Sequence, residues 1–159
     1  MERGDLEIFT ELIGQIFHRP ITADKKALLR MYTIGHDLTR KGQPYEKLNY
    51  YKYMGWVGDK PVCVGSILQL DAEFVAKNIN QPPRNQEHKF YGLFGLGTLP
   101  EYTKLGYGTK IMIQLVDKAF ELGADSIGLH GSKEAYNLYE QLGFECLDQH
   151  VTFAKLPVR

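Results

Sequence analysis

The segment from Leu96 to Phe120 constrains the fold of this chain more than any other. The strand-like stretch Phe90 to Leu99 stops at Pro100. A glycine-rich turn, Lys104-Leu105-Gly106-Tyr107-Gly108-Thr109, then opens into a run where Ile111, Met112, Leu115, Val116, Ala119 and Phe120 recur at helical spacing, and Gly123 stands just past its end. A strand joined to a helix by glycines lets the backbone come close to a ligand, and the free N–H groups of a first helical turn point at it along the positive end of the helix dipole. That chemistry suits a pyrophosphate, with Lys104 adding local positive charge. A Gly-x-Gly turn is also compatible with a plain tight turn. Two sharper motifs are excluded: the P-loop pattern Gly-x-x-x-x-Gly-Lys-Ser/Thr is absent, and the dinucleotide fingerprint needs a third glycine where Ile111 stands.

Around this segment the pattern predicts two helices and then a sheet. Asp5 is placed to cap a helix carrying Leu6, Phe9, Leu12, Ile13, Ile16 and Phe17, which Arg19-Pro20 stops near His18. Thr22 or Asp24 can cap a second helix with Ala27, Leu28, Met31, Tyr32 and Leu38 on one face. Tyr50 to Val57 and Val62 to Leu70 read as a hairpin around Gly58-Asp59-Lys60-Pro61. Asp71 to Lys89 reads as a long polar loop. Downstream, Ser126 to His130 reads as a strand, Lys133 to Leu142 as a helix capped by Ser132 and ended by Gly143, and Phe144 to Ala154 as a last strand. Hairpin strands mixed with crossover strands predict an α+β fold with helices on both faces of the sheet, in one domain spanning residues 1–159.

Charge and cysteine usage narrow the function classes. Nineteen basic residues balance nineteen acidic ones, so no global field draws the chain to nucleic acid or to an anionic membrane, and a polyanion has to be held locally. Cys63 and Cys146 lack the spacing of a zinc site or disulfide framework and read as small core residues, so no metal is expected. No apolar run approaches the ~20 residues of a membrane span, and a cytoplasmic setting is the expectation.

A second patterned segment, Ala135-Tyr136-Asn137-Leu138-Tyr139-Glu140-Gln141-Leu142-Gly143-Phe144, follows the first at the place where a second helix should meet the sheet. Together the two segments resemble the acetyl-CoA signature of the Gcn5-related N-acetyltransferase (GNAT) superfamily. Thr103 to Gly108 is similar to its Arg/Gln-x-x-Gly-x-Gly/Ala core, and Ala135 to Phe144 to its Ala-x-x-x-Tyr-x-x-x-Gly-Phe stretch. The resemblance implies a GNAT-like mixed, mostly antiparallel twisted sheet. The family's first strand has no counterpart before Asp5, so that strand is expected to be reduced or missing, which leaves a homodimer open.

It also implies site residues. Pantetheine would enter where the strand Phe94 to Leu99 splays from Ser126 to His130, bonded by the backbone around Leu96, Gly97 and Thr98. The turn Lys104, Leu105, Gly106, Tyr107, Gly108 and Thr109 would hold the pyrophosphate, with Ser132 contributing to the cofactor site, and Tyr139 would be the general acid. Thr103 stands where the family usually has Arg or Gln, so binding would rest more on backbone amides and Lys104. The family's frequent glutamate on that strand has no counterpart between Phe90 and Leu99; Asp71, Glu73, Glu87 and His88 flank it as ordinary loop residues, and no base is assigned. The expected activity is transfer of an acetyl group from acetyl-CoA to the amine of a small molecule or a peptide by direct attack. A non-catalytic acyl-CoA-binding module of the same fold is the alternative. Nothing in the sequence names the acceptor.

Overall fold

The computed structural model describes residues 3–17, 50–70, 89–130, 135–146 and 153–157. In chain order these form α1 (Arg3–Ile16), β1 (Tyr50–Val57), β2 (Lys60–Leu70), β3 (Phe90–Thr98), a 3-10 helix (Pro100–Tyr102), α2 (Tyr107–Glu121), β4 (Ser126–His130), α3 (Tyr136–Gln141), β5 (Glu145–Cys146) and β6 (Phe153–Pro157). The sheet is mixed, with strand order β1-β2-β3-β4-β6-β5. The second predicted helix, the polar loop up to His88, and Ser132 lie outside the described residues. Among the described residues the first strand is β1. The chain divides into two compact units, Met1–Ser66 with Gly95–Ile113, and Ile67–Phe94 with Gln114–Arg159.

In the first unit α1 buries Phe9, Leu12 and Ile13, one helical face, against Val64 and Leu99. A second cluster joins Val62, Cys63 and Ile111, with Tyr53, Leu96, Tyr102 and Tyr107 packed around it. β2 is buried without a break from Val62 to Leu68, which is why its sequence is an apolar run rather than an alternation. Gly58 makes the hairpin turn before it with φ +57°, in the left-handed region open to glycine.

β3 serves two faces by the period of a strand. A side chain at Gly97 would meet Ile16 Cγ2 at 2.5 Å and Phe17 at 3.1 Å, and one at Gly95 would lie 3.7 Å from Ile13, so the odd positions face α1. Leu96 packs into the Val62 cluster, and Thr98 Oγ1 lies 3.2 Å from where a Cβ on Gly108 would stand, so the even positions face α2. Gly97 and Gly108 are therefore sites of close backbone approach.

In the second unit β3 and β4 run parallel, with Phe90 opposite Ser126 through Leu93 opposite Leu129. The start of this ladder is fixed from both sides. The Lys89 N–H donates to Asp125 Oδ2 at 2.8 Å, and the Asp125 N–H donates back to the Lys89 carbonyl at 2.8 Å. β4 pairs antiparallel with β6, and β6 with β5 through Glu145 opposite Lys155 and Cys146 opposite Ala154. The single last strand expected over Phe144 to Ala154 is thus corrected to two strands that pair antiparallel, β5 and β6. Apolar Phe144 and β-branched Val151 and Thr152 made the whole stretch look like one strand.

Candidate functional site

The glycine-rich turn is built from the strand end outward. β3 ends at Thr98, and the N–H of the next residue, Leu99, donates to the Val62 carbonyl at 2.9 Å. Pro100 suits the start of the 3-10 helix because its missing N–H is not needed there. Thr103 then closes this short helix, its N–H and its Oγ1 both donating to the Pro100 carbonyl, at 3.3 and 2.8 Å. Lys104 follows with φ +62° and Gly106 with φ +85°. Among the described residues Lys104 is the one non-glycine in the left-handed region, a placement that costs about 1 kcal/mol and survives only where the surroundings fix the turn.

Two reversals in three residues bring the chain into α2. The Lys110 N–H donates to the Gly106 carbonyl at 3.0 Å, the first intrahelical bond, so Gly106 is the N-cap. The N–H groups of Tyr107, Gly108 and Thr109 precede that bond and have no acceptor within the helix. Thr103, Lys104, Leu105 and Gly106 are exposed, and a Cβ added to Gly106 would meet nothing within 4 Å. Glycine is needed there for its φ, not for room. The result is a run of backbone donors at the positive end of a 15-residue helix, preceded by the exposed Lys104.

Among the described residues the β3–β4 register runs from Phe90 and Ser126 to Leu93 and Leu129, and β3 extends to Thr98. Leu96, Gly97 and Thr98, the residues predicted to carry pantetheine, lie on that continuing part. Gly95, at φ +59°, sits just beyond the last ladder residues and gives the backbone the turn it makes there.

Tyr139 lies in the second unit. Its helix ends in a glycine cap: Gly143, at φ +90°, donates its N–H to the Glu140 carbonyl at 2.9 Å, and Phe144 donates to the Tyr139 carbonyl at 3.0 Å. This paired cap usually brings the residue after the glycine against the residue five before it. Here those residues are Phe144 and Tyr139, whose rings meet edge to face at 6.2 Å. The Tyr-x-x-x-Gly-Phe spacing is therefore the spacing of the cap, and the buried Phe144 fixes the phenol's ring. Burial pushes the Tyr139 phenol above its ordinary pKa, so it keeps its proton at neutral pH.

Other residues fall differently from expectation. Tyr136 is exposed and donates to Glu140 Oε1 at 2.8 Å along its own helix. Tyr107, expected to pack, does so, edge to face with Tyr102 at 6.2 Å. On β1, Tyr53 joins the Val62 cluster while Trp56 is exposed. Burial raises the Cys63 thiol, an inert core group whose Sγ lies 3.9 Å from the Tyr107 carbonyl. Missed altogether was the pair Lys60 and Glu101, with Nζ to Oε1 at 3.2 Å; the partners are 41 residues apart, and no local pattern announces them. Among the described residues no group of acidic, histidine or cysteine side chains is arranged to hold a metal ion. Nor is any described helix long and apolar enough to cross a membrane.

The mixed sheet with its parallel β3–β4 pair and the glycine turn at the head of α2 match the architecture that the resemblance implies. A family model for the acetyltransferase (GNAT) family matches residues 26–144, most of the sequence, and the chain belongs to that family. Solved structures show the same fold. A GNAT family acetyltransferase from Brucella melitensis in complex with acetyl-CoA is matched over 100% of this chain and 85% of that one, at 14% identity and a TM-score of 0.65. The PaiA N-acetyltransferase from Thermoplasma acidophilum in complex with coenzyme A is matched over 99% and 96%, at 14% identity and a TM-score of 0.63. A protein from Pyrococcus horikoshii is matched at 18% identity and a TM-score of 0.61, over 89% of this chain but only 40% of its own length. No curated protein matches the sequence.

Proposed function

We propose that the chain is an N-acetyltransferase that uses acetyl-CoA and passes the acetyl group directly to an amine of a small molecule or a peptide. The observation that carries this reading is the turn: three N–H groups of the first helical turn without helical acceptors follow the exposed Gly106, where a Cβ would meet nothing within 4 Å. Such donors, with no carboxylate among Thr103 to Thr109, fit a pyrophosphate. Acetyl-CoA, when bound, supplies an acetyl group already activated as a thioester.

The chain's residues then have separate tasks. The amides of Tyr107, Gly108 and Thr109, with Lys104, hold the diphosphate, and the backbone from Leu96 to Thr98 aligns the pantetheine arm as a neighbouring strand would. An N–H on that same stretch polarises the thioester carbonyl, the preorganised donor that such chemistry needs. Tyr139 keeps a proton at its phenol for the departing sulfur. A thiol near ~8.5 and a phenol above ~10 make that delivery uphill by about 2 kcal/mol, small against the barrier of an acyl transfer.

Calorimetric titration of acetyl-CoA into the wild type and Gly106→Trp tests the cofactor half. Micromolar binding, abolished in a folded variant, is expected; a wild type that does not bind overturns the reading. Thiol release with a panel of amines tests the other half. Binding without turnover of any amine, in both polyamine and peptide sets, would assign the chain to the non-catalytic alternative.

A further inference from the structure

We propose that Lys60 is a positioning residue for the pyrophosphate turn, acting through Glu101 and the ring of Tyr102. This rests on the cofactor reading above. Lys60 opens β2 directly after the hairpin turn, and its ammonium sits 3.2 Å from Glu101 Oε1 and 5.1 Å from the centre of the Tyr102 ring. A cation over a ring face gains from the ring's quadrupole as well as from the carboxylate. Lys60 thus grips two consecutive residues of the 3-10 helix that leads into Lys104.

β2 makes further attachments on both sides of the turn. Val62 accepts the Leu99 N–H at 2.9 Å ahead of the 3-10 helix, and Cys63 Sγ reaches the Tyr107 carbonyl at 3.9 Å behind the turn. Tyr102 and Tyr107 close the gap between the two sides edge to face. Between these anchors Thr103 to Gly106 stays exposed, with Lys104 and Gly106 both in the left-handed region. Of the contacts from β2, only that of Lys60 is ionic. The carboxyl of Glu101 is held below its ordinary range by its own backbone N–H and by Lys60, and the Lys60 ammonium is raised chiefly by its bond to Glu101, so both are charged at neutral pH.

The two side chains are about half-exposed, at 51% and 56%, and an exposed pair contributes little to global stability. Its effect is local: it selects the turn conformation in which the amides point outward. Lys60→Met is expected to weaken acetyl-CoA binding by about two- to fivefold with the melting temperature unchanged. Glu101→Gln is the deciding variant. If Lys60 merely attracts the anionic cofactor, removing the neighbouring carboxylate tightens binding; if Lys60 positions the turn, Glu101→Gln weakens it like Lys60→Met.

The experiment has two arms. In the ligand-free protein, amide hydrogen exchange is followed at Tyr102, Thr103 and Lys110, whose N–H groups bond Leu99, Pro100 and Gly106. Both single variants should exchange several-fold faster there, and Lys60→Arg and the double swap Lys60→Glu with Glu101→Lys should restore the wild-type rate. In the second arm the same proteins are titrated with acetyl-CoA. Unchanged exchange in both single variants overturns the proposal whether or not the cofactor binds, and so does tighter binding by Glu101→Gln. Failure of the wild type to bind, with exchange responding as expected, overturns the cofactor reading and leaves the role of Lys60 in the turn standing.

Discussion

Helix α2 carries a matched pair of glycines that separates the cost of a backbone conformation from its use. Gly106, before its first residue, and Gly123, after its last, both have φ +85°. An alanine in that region costs about 1–2 kcal/mol, and lower entropy of the unfolded chain returns about half of one. Neither site is crowded by backbone: a Cβ at 106 meets nothing within 4 Å, and one at 123 meets only the flexible end of Lys89 at 3.5 Å. Gly106→Ala and Gly123→Ala should therefore each destabilise the fold by about 1 kcal/mol, a loss of about 2–4 °C in Tm for a chain of this size. Their effects on acetyl-CoA should differ. Relief of strain at 106 rotates the Tyr107 N–H away from the anion, and the loss of one charge-assisted hydrogen bond, about 1.5 kcal/mol, raises Kd roughly tenfold. Gly123→Ala, at the far end of the helix, should leave Kd unchanged. Thermal denaturation and calorimetry on the two variants decide the matter. Equal losses of stability with equal affinities would refute the assignment of the turn to the cofactor.

Further outcomes follow from other groups. Tyr139→Phe should lower kcat by about a hundredfold while KM for acetyl-CoA stays put, because Phe144 still holds the ring; since burial raises the phenol, wild-type activity attributable to it should fall only as pH rises beyond ~10, and an alkaline limit well below that would exclude Tyr139 as the acid. Lys52, half-buried on β1, titrates at about 7 because burial disfavours its charge. Its folded pKa lies below the unfolded value of ~10.4, so the penalty is full below pH 7 and vanishes above the unfolded pKa. At 1.36 kcal/mol per pH unit the ceiling is about 5 kcal/mol, and discounting for partial exposure leaves about 1–2. Lys52→Met should thus be the more stable protein at pH 7, with the gap closing by pH 10; urea denaturation giving a gap that widens with pH would be the wrong sign. Asp125→Ala removes the acceptor of the Lys89 N–H and should cost about 1 kcal/mol in the same assay, with acetyl-CoA affinity unaltered.

The elements with a strong period were legible in advance. Ile111, Met112, Leu115 and Ala119 are buried as the helical spacing requires, whereas Phe120, placed on the same face, is exposed; Gly123 caps α2 as placed. The unbroken apolar run of β2 and the hairpin turn at Gly58 were equally clear. What escaped depended on contacts distant in sequence or on backbone angles that side chains do not advertise. Nothing about Lys104 as a residue type signals φ +62°, and nothing about Lys60 signals Glu101. The cap joining Tyr139 to Phe144 was visible as a glycine and two rings, but its geometry came only from the bonds at Glu140 and Tyr139. The division into β5 and β6 escaped because strand-forming residues on both sides read as one run.

The two-sidedness of β3 has a use for anyone building libraries on this scaffold. Its odd residues, Gly95 and Gly97, leave no space for randomisation at 97 without relocating Ile16 and Phe17, so diversity there amounts to resampling the N-terminal helix. Its even residues, Leu96 and Thr98, touch the other helix, where Thr98 and Gly108 form a size-complementary couple. A paired Thr98→Ala and Gly108→Ala exchange transfers bulk across that contact without adding to it. One short strand thereby offers two nearly independent design registers, addressed by alternate codons.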